Sequence, residues 1–483
     1  MTAVTAGGRE AGAAVPAAFA AFDGMLESAV EASRWYSQAL DASLGPWLST
    51  PEIERRRAER LRHMLDHART AVPLYRRLHE GLGEVAELAR YPLLTKAMLR
   101  QHLGESVADP ALTAERLHEF IEHGRLGGLL DDRYAVWTSS GSTGPPAIFV
   151  HDRAALAIYE SLELFRARGL AAPGQWAPRV LAGERYALVA ATGGHFAGVA
   201  TIEYMRARYP WLAGNVRTFS LLQPLPQLVA ELNAFAPSLL ATYPTAAGLL
   251  AEEQVAGRLH LRPDEIWAGG ETLSEALRAR VQRAFGCRMR QSYGASEFMA
   301  LAFECERGRL HLNADWAILE PVDAGLQPVA PGTPSTTVLL TNLANRAQPL
   351  IRYDLGDSVT MDAAPCACGC SLPSMTVEGR SDDVLELPAA HGGKIRLLPL
   401  VLQTVLEDEA QLDDYQLVQT GARRLLLRIT VGARQARRAR ELVLAFIAKQ
   451  GAGAIELDVV HDKPHASRSG KLRRILREAG PRH

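Results

Sequence analysis

Hydroxyl side chains and two glycines stand together at Thr138-Ser139-Ser140-Gly141-Ser142-Thr143-Gly144-Pro145. At the end of a strand, such a loop can turn backbone N–H groups and hydroxyls onto phosphate oxygens. Alone, the same composition also describes an ordinary polar turn. A second cluster has metal-ligand chemistry: Cys366-Ala367-Cys368-Gly369-Cys370 is a tight cysteine knuckle, and upstream Cys305 and His311 offer a thiolate and an imidazole. Three thiolates plus one histidine suit a closed tetrahedral structural zinc. Cys370 is a spare that could replace another ligand, and a free thiol cluster beside a core histidine is the alternative.

Four further motifs follow the hydroxyl loop in order: Ser292-Tyr293-Gly294-Ala295-Ser296-Glu297, Tyr353-Asp354-Leu355-Gly356-Asp357, Gly379-Arg380-Ser381-Asp382-Asp383 and Ser467-Arg468-Ser469-Gly470-Lys471. In sequence and in order they resemble the core motifs of the acyl-adenylate-forming superfamily, most of all its phenylacetate–CoA ligase branch. The resemblance runs from about Arg133 to Arg474. It implies an α/β fold, with a large N-terminal domain of mainly parallel sheets plus a β-rich subdomain, and a small mobile α+β C-terminal lid.

The activity implied is attack of a carboxylate on the α-phosphate of ATP, which expels pyrophosphate. That step needs charge neutralisation and in-line positioning more than covalent help. By resemblance, Thr138, Ser139, Ser140, Gly141, Ser142, Thr143 and Gly144 hold the β- and γ-phosphates, and Glu297 binds Mg2+, a hard cation suited to carboxylate and phosphate oxygens. Tyr293, with Gly294 and Ser296 in its motif, lies near adenine. Asp357 accepts from the ribose hydroxyls with Arg380 alongside, Asp382 is the hinge, and Lys471 reaches the α-phosphate as charge develops. The branch also looks similar at the cysteine knuckle, which assigns Cys305, His311, Cys366 and Cys368 as zinc ligands. Substrate selection falls to the loops between the phosphate and Tyr293 motifs: Gly193, His195 and Phe196, then Tyr243, then Gly269 and Gly270, whose lack of side chains lets a flat ring approach the backbone. For His195, core packing is the alternative reading.

Two departures bear on the implied reaction. Relatives usually carry a lysine at or just after the end of the phosphate loop, where this chain has Pro145, Pro146 and Ala147; a point charge is lost while the backbone donors stay. The stretch Leu387 to Arg396 matches poorly the glycine-containing loop that helps line the coenzyme A tunnel. Adenylation is therefore better supported than thioester formation. The primary expectation is a ligase that activates an aromatic or related carboxylic acid and transfers it to coenzyme A. The alternatives are delivery to an amine or carrier-protein thiol, and a non-catalytic nucleotide-binding relative.

The elements that must position these residues are legible in outline. Residues 1–132 read as a helical region with a loose start, with Leu61, Met64, Leu65, Ala68 and Val72 at helical spacing between Pro51 and Leu82 and the arginines Arg55, Arg56, Arg57 and Arg60 on a solvated face. From Tyr134 short apolar runs alternate with helical segments, and repeated strand–loop–helix order predicts parallel sheets that bind ligands at their strand ends. The hydroxyl loop is expected to lead straight into a helix from Ala154 to Arg168. With residues 1–132 included, the large domain is expected to end at Arg380, and residues 381–483 form a small unit with a hairpin turning at Gly421, a helix from Ala433 to Gln450 and a basic tail.

Composition sets the remaining bounds. The 483 residues exceed one ordinary core. Lys+Arg number 53 and Asp+Glu 54, so the chain has no charge surplus to attract nucleic acid. No apolar run reaches the ~18 residues of a membrane span, and the N-terminus, with Arg9 and Glu10, reads as a tail rather than a signal peptide. Five cysteines, an odd count, point to a reducing cytoplasm with metal binding rather than a disulfide framework. The expected partner is a small-molecule carboxylic acid, with neither nucleic acid nor membrane; the sequence leaves a homodimer as one open oligomeric form.

Overall fold

The structure, a computed structural model, describes residues 33, 37–83, 87–139, 146–167, 183–271, 273, 275–377, 385–397, 402, 405–412, 415–465 and 474–477. Ahead of the strands lie α1 (Thr50–Ala71), α2 (Pro73–Leu78), α3 (Lys96–Gln101) and α4 (Ala114–His123). The expected single helix divides at Pro73, whose ring cannot continue it. Met64, Leu65, Ala68 and Val72 are buried as their spacing requires. The arginine face is not simply solvated. Arg60 bonds Asp41 at 2.6 Å and lies 3.4 Å over the Trp316 ring, and Arg56 pairs with Asp41. Helical periodicity shows which residues share a face, not what docks on it.

The strands β1 (Tyr134–Thr138) and β2 (Ile148–Asp152) form an antiparallel pair flanking the hydroxyl loop. So the loop returns into a strand before reaching α5 (Arg153–Leu162), which is capped by the Asp152 carboxylate and followed by a π-helical turn, Glu163–Ala167. The buried run Ile148-Phe149-Val150, β-branched and aromatic, explains the extra strand.

Then come β3 (Tyr186–Ala190), α6 (Ala197–Arg208), β4 (Val216–Ser220), α7 (Leu225–Phe235), β5 (Leu239–Thr242), α8 (Pro244–Val255), β6 (Glu265–Ala268), α9 (Glu275–Phe285) and β7 (Arg288–Ala295). Strands β4, β3, β5, β6 and β7 lie side by side in that order, all parallel. The order reverses between β3 and β5, and at such a switch point the loops leaving the two strands part to open a crevice.

Beyond β7 the same sheet becomes antiparallel through β8 (Phe298–Glu304) and β9 (Leu310–Leu312). Strands β10 (Ala317–Val322), β11 (Thr337–Asn342) and β12 (Tyr353–Asp354) make a separate antiparallel sheet. Strands β13 (Val359–Met361) and β14 (Ser374–Val377) complete the large one, nine strands among the described residues. The α/β class therefore holds, with parallel order confined to one half and a β-rich remainder.

After β15 (Leu385–Pro388) and β16 (Lys394–Leu397), a hairpin, the strands β17 (Tyr415–Gly421) and β18 (Arg424–Ile429), the helix α10 (Ala433–Lys449), β19 (Glu456–His461) and β20 (Ile475–Arg477) build an α+β unit on a four-stranded mixed sheet. Among the described residues no helix is long and apolar enough to cross a membrane.

Candidate active site

Thr138 ends β1, and its N–H bonds the His195 carbonyl at 2.8 Å, which ties the hydroxyl loop to the loop leaving β3. Ser139 closes the base of the loop: its N–H donates to the Ala147 carbonyl (2.9 Å) and its Oγ accepts from the Ala147 N–H (3.0 Å). Ser140, Gly141, Ser142, Thr143 and Gly144 lie outside the described residues, as do Arg380, Asp382 and Lys471.

The Tyr293 motif spans the end of β7 and a tight turn into β8. Gly294 is required there, since a Cβ would collide with the Met299 carbonyl oxygen across the hairpin. The Tyr293 hydroxyl donates to Asp357 Oδ2 at 3.0 Å, so the second and third motifs meet although 64 residues apart. Glu297 is buried, and loss of water pushes its carboxyl above the usual carboxylate range. Its own N–H, the nearby Lys96 ammonium and the Tyr353 hydroxyl pull the other way, while Asp357 adds a like charge.

The residues expected to select substrate follow the ends of β3, β5 and β6. Gly193, at φ +113°, turns the chain out of β3, and Phe196 begins α6 and bridges to Thr138. The His195 ring lies edge-on to Phe120, with centroids 5.6 Å apart, and bonds backbone at Gly124 and Val136. Tyr243 leads into α8 from the end of β5 and is half-buried, and loss of water pushes its hydroxyl pKa up. Gly269 and Gly270 follow β6: a Cβ on Gly269 would lie 2.9 Å from Ser292 Oγ, and one on Gly270 3.3 Å from the Tyr243 ring, so both must lack a side chain.

The four expected ligands of the cysteine cluster come together. The ligand atoms of Cys305, His311, Cys366 and Cys368 all lie within 4.8 Å of one another. The Cys305–Cys366 sulfur separation is 3.8 Å and Cys368 Sγ is 3.3 Å from His311 Nε2. Ideal tetrahedral zinc sets S···S at about 3.8 Å and S···N at about 3.5 Å. His311 Nδ1 donates to the Leu372 carbonyl at 2.8 Å, leaving the Nε2 lone pair facing the thiols. Cys370 is buried outside this set and donates its backbone N–H to Cys368 Sγ.

No family model matches the chain. The phenylacetate–coenzyme A ligase of Thermus thermophilus is 26% identical over 402 residues, covering 77% of this chain and 83% of that protein. The Escherichia coli protein of that name is 26% identical over 360 residues, 70% and 73% of the two chains. Over most of its length the chain is similar to phenylacetate–CoA ligases. A solved 2-hydroxyisobutyryl-CoA ligase in its thioesterification state shares the fold, with TM-score 0.58, 20% identity and coverage of 90% of this chain and 92% of that one. An open conformation of that ligase gives 0.52 at 20% identity, with coverage of 89% and 92%.

Sequence reading missed two residues at Glu297. Tyr353 stood inside a quoted motif and its aromatic type was the available signal. Lys96 gave none, because it lies in the helical region. Its place follows from backbone pairing: the Leu94 N–H donates to the Arg352 carbonyl (3.1 Å) and the Asp354 N–H to the Leu94 carbonyl (3.0 Å), which lays the start of α3 along β12. The stretch that departs from relatives forms the β15–β16 hairpin, its turn closed by the Ala389 N–H on the Gly393 carbonyl and its Ala390 N–H tied to the Gly451 carbonyl after α10.

Proposed function

We propose that the protein activates a carboxylic acid, aromatic in class, as an acyl-adenylate at the expense of ATP and transfers the acyl group to coenzyme A. The observation that carries this reading is the convergence of Tyr293, Asp357 and Glu297 beside Thr138 and Ser139, around the carboxyl end of β7. Asp357, held by Tyr293, would take the ribose hydroxyls. The hydroxyl loop would hold the β- and γ-phosphates, with Lys471 and Arg380 completing the charge. The crevice between Gly193–Phe196 and Tyr243, floored by Gly269 and Gly270, would take the acid, its bare backbone suiting a flat ring. The related ligases named above act on phenylacetate and on 2-hydroxyisobutyrate and use coenzyme A, which supports the acceptor.

Glu297 would hold Mg2+, because a buried carboxyl pushed toward its neutral form gains most from a hard cation. The ion would neutralise charge on the phosphates. Cys305, His311, Cys366 and Cys368 would hold one Zn2+ in a closed set, which makes that metal structural, and such thiolates need the reducing cytoplasm.

Carboxylate-dependent exchange of pyrophosphate into ATP tests the first step. A panel of aromatic and aliphatic acids should include one or more that support exchange, and none doing so overturns the reading. AMP release that depends on coenzyme A tests the second step, whereas release with an amine or a carrier-protein thiol in its place assigns the alternative acceptor.

A further inference from the structure

The Ser296 and Glu297 carbonyls, on consecutive residues of the turn that presents the Glu297 carboxyl, are both held by buried side chains from other elements. Trp137 Nε1, one residue before Thr138, donates to the Ser296 carbonyl at 2.8 Å. His151 Nε2 lies 3.1 Å from the same oxygen. Asn342 Nδ2 donates to the Glu297 carbonyl at 2.9 Å.

These groups form one chain with a fixed direction. A carbonyl can only accept, so His151 carries its proton on Nε2 and offers Nδ1 as an acceptor. Nδ1 lies 3.2 Å from the Tyr159 hydroxyl, which in turn accepts from Asn342 Nδ2 at 2.9 Å. The Asn342 side-chain orientation is settled from its other end, where Oδ1 accepts from the Ala344 and Asn345 N–H groups at 2.8 and 3.2 Å. Every member is at most 3% exposed, and the His151 ring stacks on Trp137 with centroids 4.3 Å apart. Burial keeps His151 neutral, its pKa lowered to about 3, so the direction persists at any physiological pH.

We propose that His151 is a positioning residue for Glu297: its Nε2–H, beside the Trp137 N–H, fixes the Ser296 carbonyl and so sets where the next residue's carboxyl meets the metal. The proposal rests on reading Glu297 as the Mg2+ carboxylate. It couples the base of the hydroxyl loop (Trp137) to the metal carboxylate through one shared oxygen, so phosphate and cation sites keep their spacing. A core histidine with no such role could be replaced by any ring of equal size.

The test is calorimetric titration of the full chain with ATP, with and without Mg2+, so that the identity of the acid does not matter. His151→Phe keeps the stacked ring and removes the donor; His151→Gln returns an N–H to the same oxygen. The expected result is a loss of about tenfold or more in the Mg2+-dependent part of ATP binding for His151→Phe, with Mg2+-free ATP binding unchanged and most of the loss recovered in His151→Gln. Unchanged Mg2+ dependence in His151→Phe overturns the proposal, and so does an equal loss of Mg2+-free binding. Should His151→Phe fail to fold, Tyr159→Phe, which frees the imidazole tautomer, must show a smaller loss in the same readout, and no loss overturns it. A wild type that binds ATP with Mg2+ dependence yet exchanges no pyrophosphate sinks the proposed function alone. A wild type whose ATP binding ignores Mg2+ sinks this inference alone.

Discussion

Charge around Glu297 is balanced by residues that arrive from far apart. Relatives use a lysine near the phosphate loop; here Pro145, Pro146 and Ala147 occupy that stretch, while Lys96 comes to Glu297 from the helical region. Its ammonium can serve both the carboxylate and a phosphate, since either would draw on the same charge-assisted interaction. We expect Lys96→Ala to raise the ATP concentration for half-maximal pyrophosphate exchange about tenfold, the scale of one hydrogen bond to a charged group. Its thermal midpoint should barely move, because the side chain is only half-buried. An unchanged ATP dependence would remove Lys96 from the site.

Elements show both what the sequence discloses and what it conceals. The parallel half of the large sheet was legible because buried strands alternate with amphipathic helices at regular intervals. The turns back into β2 and β8 were not, since an apolar run carries no sign of strand direction, and both were expected to lead into loops or helices. The cysteine cluster was legible because its ligands fall in two short stretches, Cys305 with His311 and Cys366 with Cys368, and chemistry restricts the residue types. Lys96 was invisible because its placement depends on backbone pairing between the Leu94 segment and β12, which no local pattern encodes.

 

At this same scale, the Cys305, His311, Cys366 and Cys368 cluster ties β8 and β9 to the segment before β14, so loss of the zinc proposed there should be felt as stability. We expect Cys366→Ser to hold less than about half an equivalent of zinc and to lower the thermal midpoint by roughly 5 °C. Full zinc content in that variant would remove Cys366 from the set. The end of α5 carries a different liability. Glu160 is buried with the half-buried Glu163 near it, and desolvation raises both to about 7, with Glu163 adding to the shift of Glu160 and Arg208 opposing it. One oxygen of Glu160, Oε1, has no hydrogen-bond partner. The sign follows from the ordinary value of 4.5: between about 4.5 and 7 the folded chain keeps a proton that the unfolded chain has released, so stability falls as pH rises through that window. Glu160→Gln should therefore raise the thermal midpoint at pH 8 and give little gain at pH 4.5. A difference from wild type that does not change with pH would refute the assignment.

For the whole molecule, the adenylation reading requires one chain to present two different surfaces to one ligand. The Ser467–Lys471 motif belongs to the C-terminal unit, between β19 and β20, whereas Glu297 and Asp357 belong to the large sheet and its neighbours. Lysine charge at the α-phosphate matters while pyrophosphate leaves; once the adenylate exists, the thiol attacks the acyl carbon and the phosphate is only a leaving group. If the C-terminal unit moves between the two steps, removing Lys471 should damage the first and spare the second. We expect Lys471→Ala to lose about 2–4 kcal/mol of transition-state stabilisation in pyrophosphate exchange, roughly 30- to 1000-fold. The same variant, given preformed acyl-adenylate and coenzyme A, should make thioester within a few-fold of the wild-type rate. Equal losses in both assays would mean that a single arrangement serves both steps, and the mobile lid would have to be abandoned even if the ligase activity stood.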